Sequence, residues 1–304
     1  MSPVRISDPY AAPGAYRKAQ LHCHTTRSDG SDPPRTVLER YRASGYAFVV
    51  FTDHNHVTSC DDLNDAAFLA LPGVETTVPR PVRPLGPHMG RLGAPGSLAA
   101  RGAQAAIDAT VAAGGVVSLH HPSWSGNLLS GRWPLREMLA LRGYHLVEIS
   151  NHHSGTRADV ARWTAVLRHR GEAGAVGAVA ADDLHRPRDL NTGWIMVKTP
   201  SVAAGPFLGA LRALAFYAST GPAADFGVRD GTVRVETDAP VIRFLDGKGA
   251  VRAEMRGPAA AYEPAGDERF VRVECVARAA GRHADVPPTA WSQAFWISVA
   301  GGLS

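Results

Sequence analysis

The sequence predicts an α/β domain built on a mostly parallel sheet, followed by a small antiparallel β-sandwich. Up to about residue 218, short apolar segments alternate with helical ones, which is typical of a parallel sheet, either open or closed into a barrel. Beyond residue 222 the chain changes to short alternating strands separated by turn sequences. We therefore place the first domain at residues 1–220 and the second at residues 221–304.

Proline and glycine delimit the elements of the first domain. The first strand is predicted at residues 19–24, and the helix at 34–44 has proline at its start and Gly45 as its stop signal. Residues 48–52 form a continuous apolar run of the buried-strand type, and the proline- and glycine-rich residues 79–95 predict a loop. Further strands are predicted at 116–119, 146–150, 175–181 and 194–198. Further helices are predicted at 97–113, 135–141, 157–170 and 206–217.

The second domain is predicted from its turns. Asp230-Gly231, Asp246-Gly247 and Pro287-Pro288 separate short segments of alternating hydrophobicity. Such a pattern is typical of an antiparallel sandwich that packs on a neighbouring domain. Its strands are predicted at 232–236, 241–244, 249–255, 270–277 and 294–299.

The composition excludes several classes of protein. Hydrophobic residues make up 45% and charged residues 20% of the 304 residues, as in a globular protein with a full core. The net charge of +4 comes from arginines spread along the chain, which favours a small anionic substrate and not a nucleic-acid polymer. No apolar run of about 18 residues is present, so no membrane is expected as a partner. The oligomeric state stays open.

The three cysteines bear on the compartment. They are widely spaced and odd in number, so they do not make a disulfide framework. The N-terminal residues lack the apolar segment of a signal peptide. These two observations together predict the reducing cytoplasm.

Histidine is the residue type that points to chemistry, because the chain has 13 of them and imidazole is the commonest metal ligand. His22 and His24 stand two residues apart at the end of the first predicted strand, so both project to the same side. Five predicted strands end in His, Asp or Glu, and in a parallel α/β domain all these ends lie on one face. The further candidates are Asp29, His54, Glu75, His88, His121, Asp183 and His185.

Mixed imidazole and carboxylate ligands suit zinc, manganese or iron better than calcium, which prefers oxygen ligands alone. Nine candidate ligands exceed the needs of one tetrahedral ion. The sequence therefore predicts a cluster of two or three divalent metal ions per chain.

The motifs that contain these residues resemble, in their order and spacing over residues 19–185, those of the polymerase and histidinol phosphatase (PHP) family of metallohydrolases. The matching motifs are Leu21-His22-Cys23-His24-Thr25, Ser28-Asp29-Gly30, Thr52-Asp53-His54-Asn55, Gly73-Val74-Glu75, His121-Pro122 and Asp183-Leu184-His185. The resemblance implies a distorted (β/α)₇ barrel with a trinuclear centre at its mouth. Residues 216–222 and 290–296 are similar to a branch of the family that carries a C-terminal β domain and includes carbamate-hydrolysing members of the carbaryl hydrolase type.

The resemblance also implies how the ligands divide among the ions. One ion would be held by His22, His24, Glu75 and Asp183. Glu75 would bridge to a second ion, held also by His88 and His121. The third would take Asp29, His54 and His185. The assignment to His121 rests on its adjacency to Pro122, and His120 is the alternative.

Four residues near the ligand motifs are candidates for catalytic or supporting roles. Asp53 either orients a ligand imidazole or caps a turn. Arg27 and Arg186 either hold substrate oxygens through forked hydrogen bonds or lie solvated at the surface. His153 either reaches the site as a proton donor or is an ordinary loop histidine.

Two more residues have a plainer interpretation beside a functional one. Glu148 lies within a predicted strand and is interpreted as a satisfied, hydrogen-bonded carboxylate. Trp124 either walls a substrate pocket or packs as a core tryptophan.

The function predicted first is a metal-dependent phosphoesterase that hydrolyses a small phosphate mono- or diester by attack of a metal-bound hydroxide at the trinuclear centre. The chain has no Gly-x-Ser-x-Gly elbow and no phosphate-binding glycine-rich loop, so no protein nucleophile is expected. One alternative is hydrolysis of carboxylic or carbamic esters or of amides at the same centre. The other is a metal-binding interaction module without catalytic activity.

Overall fold

The computed structural model describes residues 4–80, 85–278 and 285–299. The α-helices are α1 Pro34–Ala43, α2 Ala103–Ala112, α3 Leu135–Ala140, α4 Thr156–Arg170 and α5 Ala204–Arg212. Two short 3₁₀ helices lie at Glu172–Gly174 and Pro187–Asp189. In the part of the chain that is described, none of these helices combines the length and apolarity needed to cross a bilayer.

The strands fall into three sheets. The strands of the first half are β1 Val4–Ile6, β2 Ala15–Gln20, β3 Tyr46–Val50, β4 Leu69–Leu71, β5 Gly73–Thr77, β6 His88–Leu92, β7 Val116–Leu119, β8 Leu146–Ser150 and β9 Gly177–Ala180. Those of the second half are β10 Trp194–Thr199, β11 Phe216–Ser219, β12 Ala224–Arg229, β13 Thr232–Thr237, β14 Val241–Asp246, β15 Val251–Arg256, β16 Ala259–Tyr262, β17 Phe270–Val276, β18 Thr289–Trp291 and β19 Phe295–Val299.

Two of the sheets form the α/β part. One runs β5-β6-β7-β8-β9, with parallel pairing of β7, β8 and β9. The other contains the parallel strands β2, β3 and β4, and β10 joins β2 in antiparallel orientation. The fold is therefore mixed α/β, and it has an antiparallel component beyond the predicted parallel sheet.

Two isolated bridges connect these sheets where β2 and β3 end. Cys23 pairs with Leu184, and His54 pairs with Glu75, both in parallel orientation. Among the described residues, the regular pairing of β2 and β3 with their neighbours ends before Cys23 and His54. The chain that follows each of these two strands therefore turns towards the same region between the sheets. All four bridge partners are predicted ligands or their immediate neighbours.

The C-terminal strands continue the larger sheet. It extends from β10 through β11 to β18, β17, β19 and β1, and β14 pairs with β17. The third sheet, β12-β13-β16, covers one face of this extension, and Phe226 and Val235 share a buried apolar cluster with Phe244 and Val273. The result is two antiparallel layers over a common core. The division at residues 220 and 221 stays a prediction.

Aromatic packing fixes the helices of the α/β part against the sheets. Phe207 of α5 stacks on Phe48 of β3, with ring centroids 4.2 Å apart. Trp163 of α4 is fully buried, and its indole N–H donates to the carbonyl oxygen of Val176 at 2.8 Å. Side chains of this size dominate the energetics of a core, so they hold the helices that flank the site.

Several predicted boundaries were wrong, and the local hydrogen bonding explains the first of them. Strand β2 ends at Gln20, not at residue 24. The Gln20 side-chain oxygen accepts the backbone N–H groups of Leu21 and His22 at 2.9 and 3.1 Å, which replaces the ladder with a side-chain contact. The predicted ligands His22 and His24 therefore follow the strand and do not belong to it.

Two helices are shorter than predicted. Helix α2 begins at Ala103 because Gly102, with a φ of 81°, precedes it. Helix α5 ends at Arg212, and Leu214, with a φ of 57°, separates it from strand β11. Left-handed backbone of this kind interrupts a right-handed helix.

The predicted loop at 79–95 contains strand β6, which is buried and pairs with both β5 and β7. Its sequence, HMGRL, lacks the alternation of apolar and polar residues by which strands are recognised. The short strands β1, β12, β16 and β18 were not predicted either.

Candidate metal centre

The predicted ligands meet in one cavity. It has a volume of about 670 Å³ and opens where β3, β5 and β9 end. Seven of the nine predicted ligands line it: Asp29, His54, Glu75, His88, His121, Asp183 and His185. The other two, His22 and His24, are fully buried beside them.

His22 and His24 form the deepest part of the cluster. Their Nε2 atoms are 3.1 Å apart, and both lie within 3.2 Å of Oδ1 of Asp183. Asp183 has a φ of 48°, and this left-handed turn directs its carboxylate inwards. Two imidazole nitrogens that converge on one carboxylate oxygen require a positive charge between them, either a proton or a cation.

Glu75 of β5 is the centre of the cluster and is only 1% exposed. Its two oxygens lie within 3.6 Å of nitrogens from six histidines: His22, His24, His54, His88, His120 and His121. Burial alone raises the pKa of the Glu75 carboxyl, but the neighbouring His88 and His22 outweigh burial and hold this pKa well below its usual range. Glu75 is therefore ionised and can bridge two cations.

A third group lies at the mouth. Asp29 is half-exposed, and its oxygens lie 3.3 Å from Nε2 of His185, 3.4 Å from Nε2 of His54 and 3.5 Å from Nδ1 of His24. Burial opposes ionisation of Asp29, but hydrogen bonds from His185 and His54 lower its pKa below the usual range. A carboxylate held between imidazoles in this way is a typical metal-binding arrangement.

Both members of the His120-His121 pair reach the cluster. Nδ1 of His120 is 2.7 Å from Oε1 of Glu75, and its ring stacks on that of His22 with centroids 3.8 Å apart. Nε2 of His121 lies 3.3 Å from the same Glu75 oxygen. His120 has space there because Gly90 lacks a side chain: a Cβ at Gly90 would stand 2.2 Å from Nε2 of His120.

Glu148 is the buried carboxylate that the sequence interpretation gave no part in the site. Its Oε1 is 2.7 Å from Nδ1 of His22, and its Oε2 accepts the backbone N–H of His121 at 2.7 Å and the amide of Asn151 at 3.0 Å. Asn151 also donates to Oδ2 of Asp183 at 3.2 Å. The hydrogen-bonded character predicted for Glu148 is present, and its contacts fix the positions of the candidate ligands His22 and His121.

The sequence carries one signal for this role, because Glu148 is the single charged residue in the predicted strand 146–150. Every residue of β8 is buried, and Glu148 is its only charged side chain. A charge in a strand covered on both faces needs partners.

Asp53 contacts the loop that follows His24. Its carboxylate accepts hydrogen bonds from the backbone N–H and hydroxyl of Thr25, each at 2.8 Å, and from the hydroxyl of Ser28 at 2.7 Å. The Ser28 hydroxyl lies 3.4 Å from Nδ1 of His24. Asp53 thus reaches the imidazole of the candidate ligand His24 through Ser28 and not by direct contact.

The remaining candidates differ in position. Arg27 is exposed and does not belong to the described lining of the cavity, whereas Arg186 is exposed at its rim. His153 lines the cavity, with Nε2 3.8 Å from Oδ2 of Asp183.

The donor set fits divalent cations. The overlapping groups whose donor atoms lie within 4.8 Å of one another include His22-His24-Asp183, His22-His120-Glu148, His22-Glu75-His121, His54-Glu75-His88 and His24-Asp29-His54-His185. Among the residues described, buried Oδ1 of Asp183 and Nδ1 of His54 make no hydrogen bond of normal geometry. Buried polar atoms that lack a hydrogen bond of normal geometry are rare, so these atoms are suited to bind ions. The groups are compatible with several ions.

A similar fold is found among solved structures. A two-domain protein from Bacteroides vulgatus that contains a predicted PHP-like metal-dependent phosphoesterase aligns over 96% of this chain and 98% of its own, with 12% identity and a TM-score of 0.55. An amidohydrolase from Chromobacterium violaceum aligns over 56% of this chain and 88% of its own, with 18% identity and a TM-score of 0.43. No protein-family model matches the sequence, and neither does any curated protein.

Proposed function

We propose that this chain, which shares its fold with a two-domain PHP-like protein, is a metal-dependent phosphoesterase that hydrolyses a small phosphate mono- or diester. The observation that carries the proposal is the convergence of six imidazoles on the buried carboxylate of Glu75. So many histidines around an ionised carboxylate do not stabilise a core, but they are the donors that zinc, manganese and iron require.

The cluster would hold two or three divalent ions. His22, His24 and Asp183 would bind one of them, with Glu75 as the bridge to a second at His88 and His121. Asp29, His54 and His185 would bind the third. The ions would supply Lewis acidity towards the phosphate oxygens and lower the pKa of water.

The residues of the chain itself hold the ligands and the substrate. Glu148 and Asn151 fix the rings and carboxylates around them through the hydrogen bonds described above. Arg186, at the rim, would bind phosphate oxygens through its planar fork. His153 would deliver a proton to the leaving oxygen of the ester.

We also propose that the strands around the site form the distorted seven-stranded barrel. Ladder pairing joins β2 to β3 and runs from β5 through β9, and the isolated bridges Cys23–Leu184 and His54–Glu75 lie at the gaps between these runs. The interruptions coincide with His54, Glu75 and Cys23. The candidate ligands thus lie where the pairing around the barrel would be interrupted. This coincidence supports the view that the interruptions belong to the site.

The experiment is reconstitution of metal-depleted protein with manganese, zinc or iron, followed by assay on p-nitrophenyl phosphate, bis(p-nitrophenyl) phosphate, and matched aryl esters and carbamates. We expect phosphate-ester turnover that depends on added metal and is lost in Glu75→Gln together with the bound metal. Glu137→Gln, which alters an ion pair with Arg80, is the matched control. Release of phenol from esters or carbamates alone would replace the phosphoesterase proposal, and failure to retain any metal would overturn it.

A further inference from the structure

One wall of the cavity is built by the tryptophan loop, residues 124–131. The half-buried indole of Trp124 lines the cavity, and its ring centroid is 4.9 Å from that of His121 and 5.1 Å from that of His88. A tryptophan in contact with two predicted ligands is part of the site and not of the hydrophobic core. Of the two interpretations of Trp124 open to the sequence, the pocket wall applies.

The loop is shaped around this indole. A Cβ on Gly126 would lie 2.0 Å from a carbon of the ring, and one on Gly131 would lie 2.5 Å from another. The N–H of Gly131 donates to the carbonyl oxygen of Gly126 at 3.0 Å, so the two glycines close against the ring together. No other residue type fits at either position without moving the indole.

The tip of the loop adopts an uncommon conformation. Asn127, Leu128 and Leu129 have φ values of 52°, 54° and 72°, a left-handed run that L-residues rarely form. The Asn127 amide donates to the carbonyl oxygen of Gly86 at 3.0 Å and lies 3.0 Å from Nε2 of His88. Strained backbone of this kind concentrates at functional sites, where surrounding contacts maintain it.

The rest of the cavity is lined mainly by charged and polar side chains. Its floor is the charged ligand cluster, and Arg186 and Arg188 supply positive charge at the rim. A volume of about 670 Å³ is far larger than a phosphate group and lies in the range of pockets that enclose organic ligands. The indole is thus available to the organic part of a substrate whose phosphate lies at the cluster.

We propose that Trp124 binds a flat aromatic group, so that the preferred substrate is a phosphate ester whose alcohol carries an aromatic ring. The inference rests on the proposed phosphoesterase function. An indole held rigidly by its loop offers a π-face at low entropic cost, and offset or edge-to-face contact with a second ring adds to the simple burial of apolar area. A saturated ring of equal size buries a similar area but gains no such contact.

The first test compares benzyl phosphate with cyclohexylmethyl phosphate, since their alcohols are similar in size and acidity and only one is aromatic. We expect metal-loaded protein to prefer benzyl phosphate by about tenfold in kcat/KM. Trp124→Ala should reduce this ratio towards one, and Trp124→Phe should retain most of it. Val251→Ser, at an exposed position of β15 outside the described lining of the cavity, should retain the full ratio. A wild-type ratio near one would overturn the inference.

Binding separates this inference from the proposed function. Calorimetry with benzylphosphonate and cyclohexylmethylphosphonate measures recognition without hydrolysis. A preference of about tenfold for the aromatic phosphonate supports the role of Trp124 even if neither ester is hydrolysed. Hydrolysis of both esters without any preference leaves the phosphoesterase proposal standing and removes this one.

A second pair of substrates, adenosine 5′-phosphate and ribose 5-phosphate, shows whether the aromatic group that Trp124 binds is a nucleobase or a simple arene. A preference for the nucleotide that is larger than the benzyl preference assigns the ring to a nucleobase. A smaller preference assigns it to a simple arene.

Discussion

Nδ1 of His22 lies 2.7 Å from Oε1 of Glu148, and this contact decides which nitrogen of the imidazole faces the cluster. With Nδ1 donating to Glu148, Nε2 is the nitrogen that faces Asp183 and Glu75, 3.1 and 3.2 Å away, where it can share a cation with their oxygens. Burial raises the pKa of Glu148, but His120 and His22 outweigh it and lower this pKa to about 2. The acceptor for His22 is therefore a full carboxylate.

The first prediction is that Glu148→Gln weakens metal binding. Both Glu148 oxygens are acceptors, so an NH₂ group in place of either one would face a donor from His22, His121 or Asn151. We expect a loss of about 10- to 100-fold in metal affinity. Chelator competition measures the affinity, and Glu137→Gln serves as control. Unchanged affinity would show that Glu148 does not orient His22.

The second prediction concerns the space that Gly90 leaves for His120. Gly90 is the register partner of Glu75 across β5 and β6, and a Cβ there would stand 2.2 Å from Nε2 of His120. Gly90→Ala should therefore displace His120 from Glu75 and lower both metal content and turnover. Elemental analysis and far-ultraviolet circular dichroism together distinguish a damaged site from a damaged fold.

Gly209→Ala is the control for this substitution. Gly209 lies within α5 and a Cβ there would meet nothing within 4 Å. Alanine in a helix interior is favoured over glycine by about 0.5–1 kcal/mol, so this variant should keep its metal and melt slightly higher. If both variants retain metal equally, His120 is dispensable.

The third prediction separates the two candidate arginines. Arg186 is at the rim of the cavity, and Arg27 is exposed outside its described lining. Arg186→Ala should raise KM for p-nitrophenyl phosphate more than Arg27→Ala does, because only the former removes a donor facing the substrate. The effect should shrink as salt screens the charge. Equal KM values for the two variants would exclude Arg186 from substrate binding.

The convergence of the candidate ligands could be predicted from the sequence, because the order of the strands brings their positions together. Parallel strands present their C-terminal ends on one face, so residues as distant as His24 and Asp183 meet, with Nε2 and Oδ1 3.2 Å apart. The start and end of α1 were predicted within one residue, since proline and glycine mark both. Strands β7 and β8 were predicted with their observed bounds, because each is a short and mostly apolar segment.

The rest depends on contacts that no local pattern encodes. Strand β6 was missed because pairing on both sides, and not its own alternation, makes it a strand. The place of His120 depends on the register that puts Gly90 opposite Glu75. The role of Trp124 depends on Gly126 and Gly131. These glycines lie against the indole only in the folded loop, so the sequence alone does not show the contact.

The last prediction concerns Asp159, a fully buried carboxylate in the first turns of α4. Its Oδ2 accepts the hydroxyl of Ser154 at 2.6 Å, while Oδ1 makes no hydrogen bond of normal geometry among the described residues. Burial raises the pKa of Asp159 to about 7. An unfolded aspartate has a pKa of about 3.9, so between these values the folded state holds a proton that the unfolded state has lost.

Stability should therefore fall as the pH rises from about 4 to about 7, since the folded state binds more protons over this range. Asp159→Asn keeps an acceptor for Ser154 and removes the titration. We expect its Tm to exceed that of the wild type at pH 8, by roughly 2–4 °C for each kcal/mol gained in the free energy of unfolding. This difference in Tm should shrink towards pH 4. Asp108→Asn, at an exposed position of α2, should show no such trend. A Tm difference that does not change with pH would mean that Asp159 ionises in the folded protein as readily as in the unfolded chain.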